Sequence, residues 1–245
     1  MDNYSSYYYK RKTQKNKAYL SVIITGIIII SAFLGIISFT SNLNRSERYS
    51  TSIGLNCYLI SLGTFDDLNS ATIFADNVRV KGGAGYIYKN KSYNVVVSLY
   101  FEDKQAKTVM NTLIEKGEKA NIIILSLPEI VHGFLEDEDK ERLQSSISCL
   151  KNSVQSVYEL SNSFDAGTVT SREVKQNLKK INEEIINEYE KNKSLKAFKN
   201  EKLKFFNDIF FKIAVGINEV MIVDNLKAKD LRFLNIDMCI LSMLI

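Results

Sequence analysis

Between Cys57 and Leu125 the chain states one pattern twice, 35 residues apart. Cys57 to Leu62 is a strand-like apolar run closed by Gly63, and from Asp66 to Lys81 the residues Ala71, Phe74, Ala75 and Val78 fall at the i, i+3, i+4, i+7 spacing of one helix face. Gly82 and Gly83 stop that helix, and Ala84 to Lys89 reads as a second strand. The order then recurs. Tyr58 returns as Tyr93, Ile60 as Val95, Leu62 as Val97 and Phe65 as Tyr100; the helix face returns as Ala106, Val109, Met110 and Leu113, Gly82 as Gly117, and Ile87 as Ile122. Agreement in a single register, with strand and helix periods switching at the same offsets, is the mark of an internal repeat. Two βαβ units in tandem, each with a split connection, interleave into a ferredoxin-like βαββαβ module. Its four-stranded antiparallel sheet carries both helices on one face, with the first and third strands central. Asn90, between Lys89 and Lys91, supplies the tight turn joining the two copies. The other sheet face is left free.

Upstream, Ala18 to Phe39 is 22 residues without a charge, about the ~20 that span hydrocarbon as a helix. Lys10, Arg11, Lys12, Lys15 and Lys17 precede it against the single acid Asp2, which keeps the amino terminus in the cytoplasm by the positive-inside bias. A cleaved signal peptide is the alternative, but its apolar region would be only ~7–15 residues long, and Thr40 and Ser41 make a poor cleavage site. The expectation is a single-pass cell-membrane protein with its carboxyl-terminal part extracytoplasmic. The tail also accounts for the net charge of +4: beyond it the 32 basic and 28 acidic residues fall to 27 each. A neutral remainder argues against a nucleic-acid partner, which would want a basic face for phosphates.

The rest divides by composition. Residues 1–17 are the basic tail, 18–39 the transmembrane helix, 40–56 a polar linker, 57–126 the repeat module, 127–138 a connector and 139–245 a helical region. Helices are expected from about Asp139 to Phe164, then from a capping box of Thr170 and Glu173 with Val174, Leu178, Ile181 and Ile185 on one side. A third runs from about Ser194 to Glu219 and a shorter one from about Leu226, while Cys239 to Ile245 is too short to span and docks as a terminal helix or strand. The fold class is therefore α+β: an amino-terminal transmembrane helix, a βαββαβ module and an α-helical carboxyl-terminal region.

No catalytic constellation emerges. His132 is the sole histidine and has no Cys or Asp at ligand spacing, so neither a metal nor a catalytic role is expected of it. No hydrolase motif surrounds a Ser or Cys, and Glu136 to Asp139 read as a solvated charge run, not as carboxylates held across a cleft. Gly82, Gly83 and Gly85 follow a helix where a phosphate loop would precede one. Cys57, Cys149 and Cys239 are odd in number and far apart, fitting buried apolar positions with one optional disulfide. The chain reads as a non-enzyme without cofactor or metal.

Gly63, Phe65 and Ala71, followed by Tyr93, Val95, Val97, Ser98, Tyr100 and Ala106, give residues 56–126 a resemblance to the SPOR domain, the sporulation-related repeat of bacterial envelopes. With the expected anchor and helical tail, the architecture is similar to the stage II sporulation protein B-like proteins of spore-forming Firmicutes. The resemblance implies binding to peptidoglycan glycan strands stripped of their stem peptides, and so placement at division or engulfment septa. By strand alternation Ile60, Leu62, Val95 and Val97 point to the helices, while Leu59, Ser61, Asn94, Val96 and Ser98 form the open, glycan-binding face. The face departs from the family pattern, with Ser61 where Gln is common, Asn94 and Val96 where Arg is common, and Ser98 where Gly is common.

Two functions follow as expectations. One is a non-catalytic module that binds septal peptidoglycan in sporulation or cell division. The other is a membrane-anchored adaptor whose SPOR-like fold and helical region bind proteins of a sporulation or division complex. An apolar centre at Leu59 and Val96 suits a protein contact or an intramolecular cover, with the helical half the nearest candidate. An RNA-binding module of the same topology could use Tyr58, Tyr86, Tyr88 and Tyr93 as stacking platforms, but export and neutrality argue against it.

Overall fold

The computed structural model of the chain describes residues 49–52, 54–126, 129–132, 137–193 and 201–243. Strand β1 spans Tyr49–Ser52, β2 Asn56–Phe65, β3 Tyr86–Lys89, β4 Tyr93–Tyr100, β5 Asn121–Ser126 and β6 Glu129–His132. Helix α1 spans Leu68–Val80, α2 Asp103–Glu115, α3 Asp137–Asp165, α4 Ser171–Lys193, α5 Glu201–Met221 and α6 Ala228–Ser242.

Strands β2 to β5 form a four-stranded antiparallel sheet in the order β3-β4-β2-β5, with the first and third strands of the repeat central. Helix α1 starts where the Asp67 side chain accepts from the Ser70 amide at 2.8 Å, satisfying one of the first-turn donors. It buries Ala71, Ala75 and Val78 against Leu62 and Val95. Both repeat helices end in the same device. Gly82 (φ +94°) and Gly117 (φ +85°) each stand in the left-handed region, with Gly82 N–H to Arg79 O and Gly83 N–H to Val78 O matched by Gly117 N–H to Ile114 O and Glu118 N–H to Leu113 O. This Schellman pair is the structural form of the sequence repeat.

The expected membrane anchor is corrected. Among the described residues no helix is long and apolar enough to cross a membrane, and the Ala18–Phe39 stretch on which the anchor rested lies outside them. The single-pass localisation, and the membrane as a partner, depended on that stretch alone. Helices α3, α4 and α5 are long enough to span, but each carries a charged face. The fold class becomes six helices, one four-stranded sheet and one two-stranded sheet among the described residues, without a spanning helix. The two-stranded sheet pairs β1 with β6 and so joins segments expected to be an irregular linker and connector. At four residues each, these strands are too short to show a period.

Helices α3 to α6 pack each on the next, and α6 closes back on α3. Thr170 and Glu173 form the expected capping box at α4, with Thr170 N–H to Glu173 Oε2 at 2.7 Å and Glu173 N–H to Thr170 Oγ1 at 3.3 Å. The segment Cys239–Ser242 is the last turn of α6. The core of this bundle, including Leu143, Leu150, Leu178, Ile185, Phe206 and Phe210, is continuous with Leu59, Val96, Leu99 and Leu125 of the sheet. Helix α6 lies directly on β3 and β4.

Candidate functional site

The sheet face expected to be open is covered. Leu59, Ser61 and Val96 are fully buried, Leu59 and Val96 inside the core shared with the bundle. The Ser61 hydroxyl is used internally, donating to Gly63 O at 3.1 Å. Removing Leu59 and Val96 from water stabilises the contact by roughly 1.5–3 kcal/mol each, which favours coverage over an exposed apolar strip.

Asn94 is the candidate nearest solvent. It is half-buried at the uncovered end of the face, accepting from exposed Thr64 Oγ1 at 2.9 Å and donating to Ser92 O at 3.2 Å. Ser98 leaves the predicted face altogether. Leu62 on β2 and Val97 on β4 are each an extra residue in the ladder, so the register runs Leu59 to Leu99, Ile60 to Ser98, Ser61 to Val96. Directly paired residues share a face, which puts Ser98 with Ile60. Strict alternation from Asn94 misses this, because a bulge resets the period.

Polar and ionic contacts fasten the cover. The Tyr86 hydroxyl on β3 donates to Asp237 Oδ1 on α6 at 2.9 Å, and the Tyr86 ring lies 4.9 Å from that of Phe233. Burial pushes the Asp237 carboxyl up to about 6; the Tyr86 bond opposes the rise, Glu219 adds to it and Lys212 reduces it. Burial likewise raises the Tyr86 phenol well above its ordinary range, with Asp237 contributing. Lys229 Nζ donates to Arg79 O at 3.0 Å and Arg232 Nη1 to Gly82 O at 2.8 Å, so two cations of α6 meet the carbonyl end of α1. Arg232 Nη2 also pairs with Asp165. Finally, Cys57 on β2 is disulfide-bonded to Cys239 on α6, both fully buried.

The sequence offered an optional disulfide among Cys57, Cys149 and Cys239 and named Tyr86 only as a stacking ring; Asp237, Phe233, Lys229 and Arg232 were not expected to act. One signal was present: Asp237 is the only charge between Phe233 and Met243, and an acid in an apolar helical run asks for a partner. Apolar side chains do remain in solvent elsewhere. Phe211 is 60% exposed, Val215 41%, Ile222 75% and, on neighbouring α4, Ile186 41%. Phe211 and Val215 lie one turn apart on α5. No group of three or more His, Cys, Asp or Glu able to hold a metal occurs among the described residues.

No protein-family model matches the chain, and no match is found among curated proteins. Among solved structures, the chain is similar to the solution structure of the peptidoglycan binding domain of the B. subtilis cell wall lytic enzyme CwlC, at 22% identity, over 34% of this chain and 100% of that one, with a TM-score of 0.26. That domain's description is peptidoglycan binding, and at such a TM-score it decides nothing about this chain. The SPOR likeness of residues 56–126 stays a resemblance carried by the residues quoted for it.

Proposed function

We propose that this chain is a non-catalytic adaptor of the bacterial cell wall, acting in sporulation or division, whose SPOR-like module serves as a scaffold for a helical bundle that binds a protein partner. The observation that carries this reading is the burial of Leu59, Ser61 and Val96 beneath α6 and the bundle core. A face in intramolecular use is not available to an extended ligand. Phe211, Val215 and Ile222 give the bundle an apolar surface of its own.

A second reading keeps peptidoglycan as a direct ligand. It is favoured by the uncovered end of the sheet face, where exposed Thr64 and half-buried Asn94 stand beside Tyr88, which pairs with Asn94 in the ladder. Neutral polar groups beside an aromatic ring suit the hydroxyls and ring faces of a glycan strand.

Co-sedimentation with purified sacculi freed of stem peptides separates the two. The adaptor reading expects the chain in the supernatant while a known glycan-binding domain pellets. Co-pelleting that is lost in Asn94→Ala would overturn it in favour of the second.

A further inference from the structure

Helices α4 and α5 run antiparallel, with Asn182 Nδ2 donating to Asn218 Oδ1 at 3.1 Å and Lys175 Nζ to Val223 O at 2.8 Å. One turn along from the Asn pair, exposed Ile186 on α4 and exposed Val215 on α5 fall level with each other. We propose that the outer seam between α4 and α5 is a docking groove for an amphipathic helix of a partner protein, apolar along one stripe and acidic at one end. This rests on the adaptor reading and names the chemistry of its partner.

The apolar stripe is continuous. Phe211, Val215, Asn218 and Ile222 recur at i, i+4, i+7 and i+11, which is one face of α5 and the residue after it, and all four are exposed. Asn218 ties this stripe to the α4 side. The other side faces α6, since a Cβ on Gly216 would stand 3.2 Å from Leu234 Cδ1. At ~1.5 Å per residue the stripe is about 16 Å long, or three turns. A helix laid in such a groove anchors through apolar residues at i, i+4 and i+7, so a partner segment of three to four turns matches it.

Charge sets the partner's sign and orientation. The end of the groove near Ile222 is lined by Arg172, Lys175, Lys179 and Met221 with no acid among its lining residues. Glu173, the single acid between Ser171 and Lys180, is held by Thr170 in the helix cap. Lys175 donates to a neutral carbonyl, so its charge is not cancelled there, and Lys179 meets Glu183 only in an exposed pair at 3.8 Å, which is worth little. Arg172 stands in the first turn of α4, where the macrodipole disfavours a cation, so its own helix gains nothing from the charge. A carboxylate of a partner would be drawn to the cations and the dipole together. At the other end exposed Asp208 lies one turn before Phe211, which would repel an anionic lipid surface and directs the partner's acidic end toward Arg172.

Fluorescence anisotropy on the full chain tests this with three hydrocarbon-stapled helical peptides of about 14 residues, each with Leu at i, i+4 and i+7 and a first turn made wholly of Glu, Gln or Lys. The Glu-ended peptide should bind in the range of about 10–100 μM and about tenfold more tightly than the Gln-ended one. Phe211→Ser should weaken it at least about fivefold, whereas Ile73→Ser on α1 should leave it intact. Arg172→Glu combined with Lys179→Glu should reverse the order, so that the Lys-ended peptide binds most tightly. These side chains are exposed, and an unchanged melting profile checks each variant's fold. Equal binding of the three ends, with loss in Phe211→Ser, would overturn the acidic partner and leave the adaptor reading standing. Binding of none, or binding untouched by Phe211→Ser, would overturn the groove, and sacculus sedimentation then judges the adaptor reading by itself. Displacement of the Glu-ended peptide by phosphatidylglycerol vesicles would overturn the proposal in favour of a lipid surface.

Discussion

The Tyr86 hydroxyl on β3 reaches Asp237 Oδ1 on α6 at 2.9 Å, joining a sheet residue of the repeat module to a residue 151 positions later in the bundle. Burial of the Asp237 carboxyl beside this contact makes the cover over the sheet sensitive to pH. The Asp237 carboxyl moves from an ordinary 3.8 to about 6 in the folded chain, chiefly by burial. The folded state thus holds the proton more tightly than the unfolded one. The stabilisation is complete below about pH 3.8 and is lost as pH rises through about 6. Asp237→Asn stays neutral throughout. Between about pH 4 and 7 its urea-unfolding free energy should gain roughly 2 kcal/mol on the parent chain. A difference independent of pH would show that Asp237 is not held out of water.

The three cysteines should separate by chemistry. Cys57 and Cys239 are bonded, and Cys149 is the free thiol, pushed up to about 11 by burial and by the nearby Glu188 carboxylate. In the oxidised chain at about pH 8, iodoacetamide should modify Cys149 alone, and slowly, because little thiolate is present. Non-reducing peptide mapping should recover one linked pair containing Cys57 and Cys239. A pair involving Cys149 would contradict the fold.

Gly85 is irreplaceable where Gly82 is merely preferred. At Gly85 (φ +57°) a Cβ would stand 2.4 Å from Ala75 O and 2.6 Å from Arg79 Cγ, whereas at Gly82 (φ +94°) it would meet nothing within 4 Å. Gly82→Ala should cost about 1 kcal/mol for its backbone alone, and Gly85→Ala about 2–4 kcal/mol, by chemical denaturation. Equal costs would mean that α1 and the strand after it are not so closely packed.

Val96 tests coverage through packing. It is fully buried on the bundle side, while Val80 on α1 is 85% exposed. Val96→Ala should destabilise the chain by about 2 kcal/mol and Val80→Ala by less than about 0.5 kcal/mol. If the sheet face were open, Val96 would lose much of that difference.

The repeat was legible because each copy carries its own period and its own stop, and Gly82 and Gly117 take the same left-handed conformation in the same hydrogen-bonded cap. The bundle helices were legible too, from the spacing of Val174, Leu178, Ile181 and Ile185 and from the Thr170–Glu173 box. What the residues did not disclose is relational. The extra residues Leu62 and Val97 shift the ladder and carry Ser98 off the face that alternation assigns to it. The pairing of Cys57 with Cys239 closes 182 residues of chain, which no local pattern encodes. An apolar strip at Leu59 and Val96 signals that something covers it; that the cover is α6 of the same chain depends on the folded whole. The transmembrane expectation failed for a related reason. It rested on one uncharged run and had no support among the described helices.

The central claim is that the bundle covers the sheet face, and NOESY spectra of the chain test it most directly. Phe65 and Phe74 lie 5.2 Å apart within the module, and Tyr86 and Phe233 lie 4.9 Å apart across the cover. Ring-to-ring cross-peaks of comparable strength are expected for both pairs. A cross-peak between Phe65 and Phe74 with none between Tyr86 and Phe233 would contradict the account, leaving the sheet face open and the bundle elsewhere.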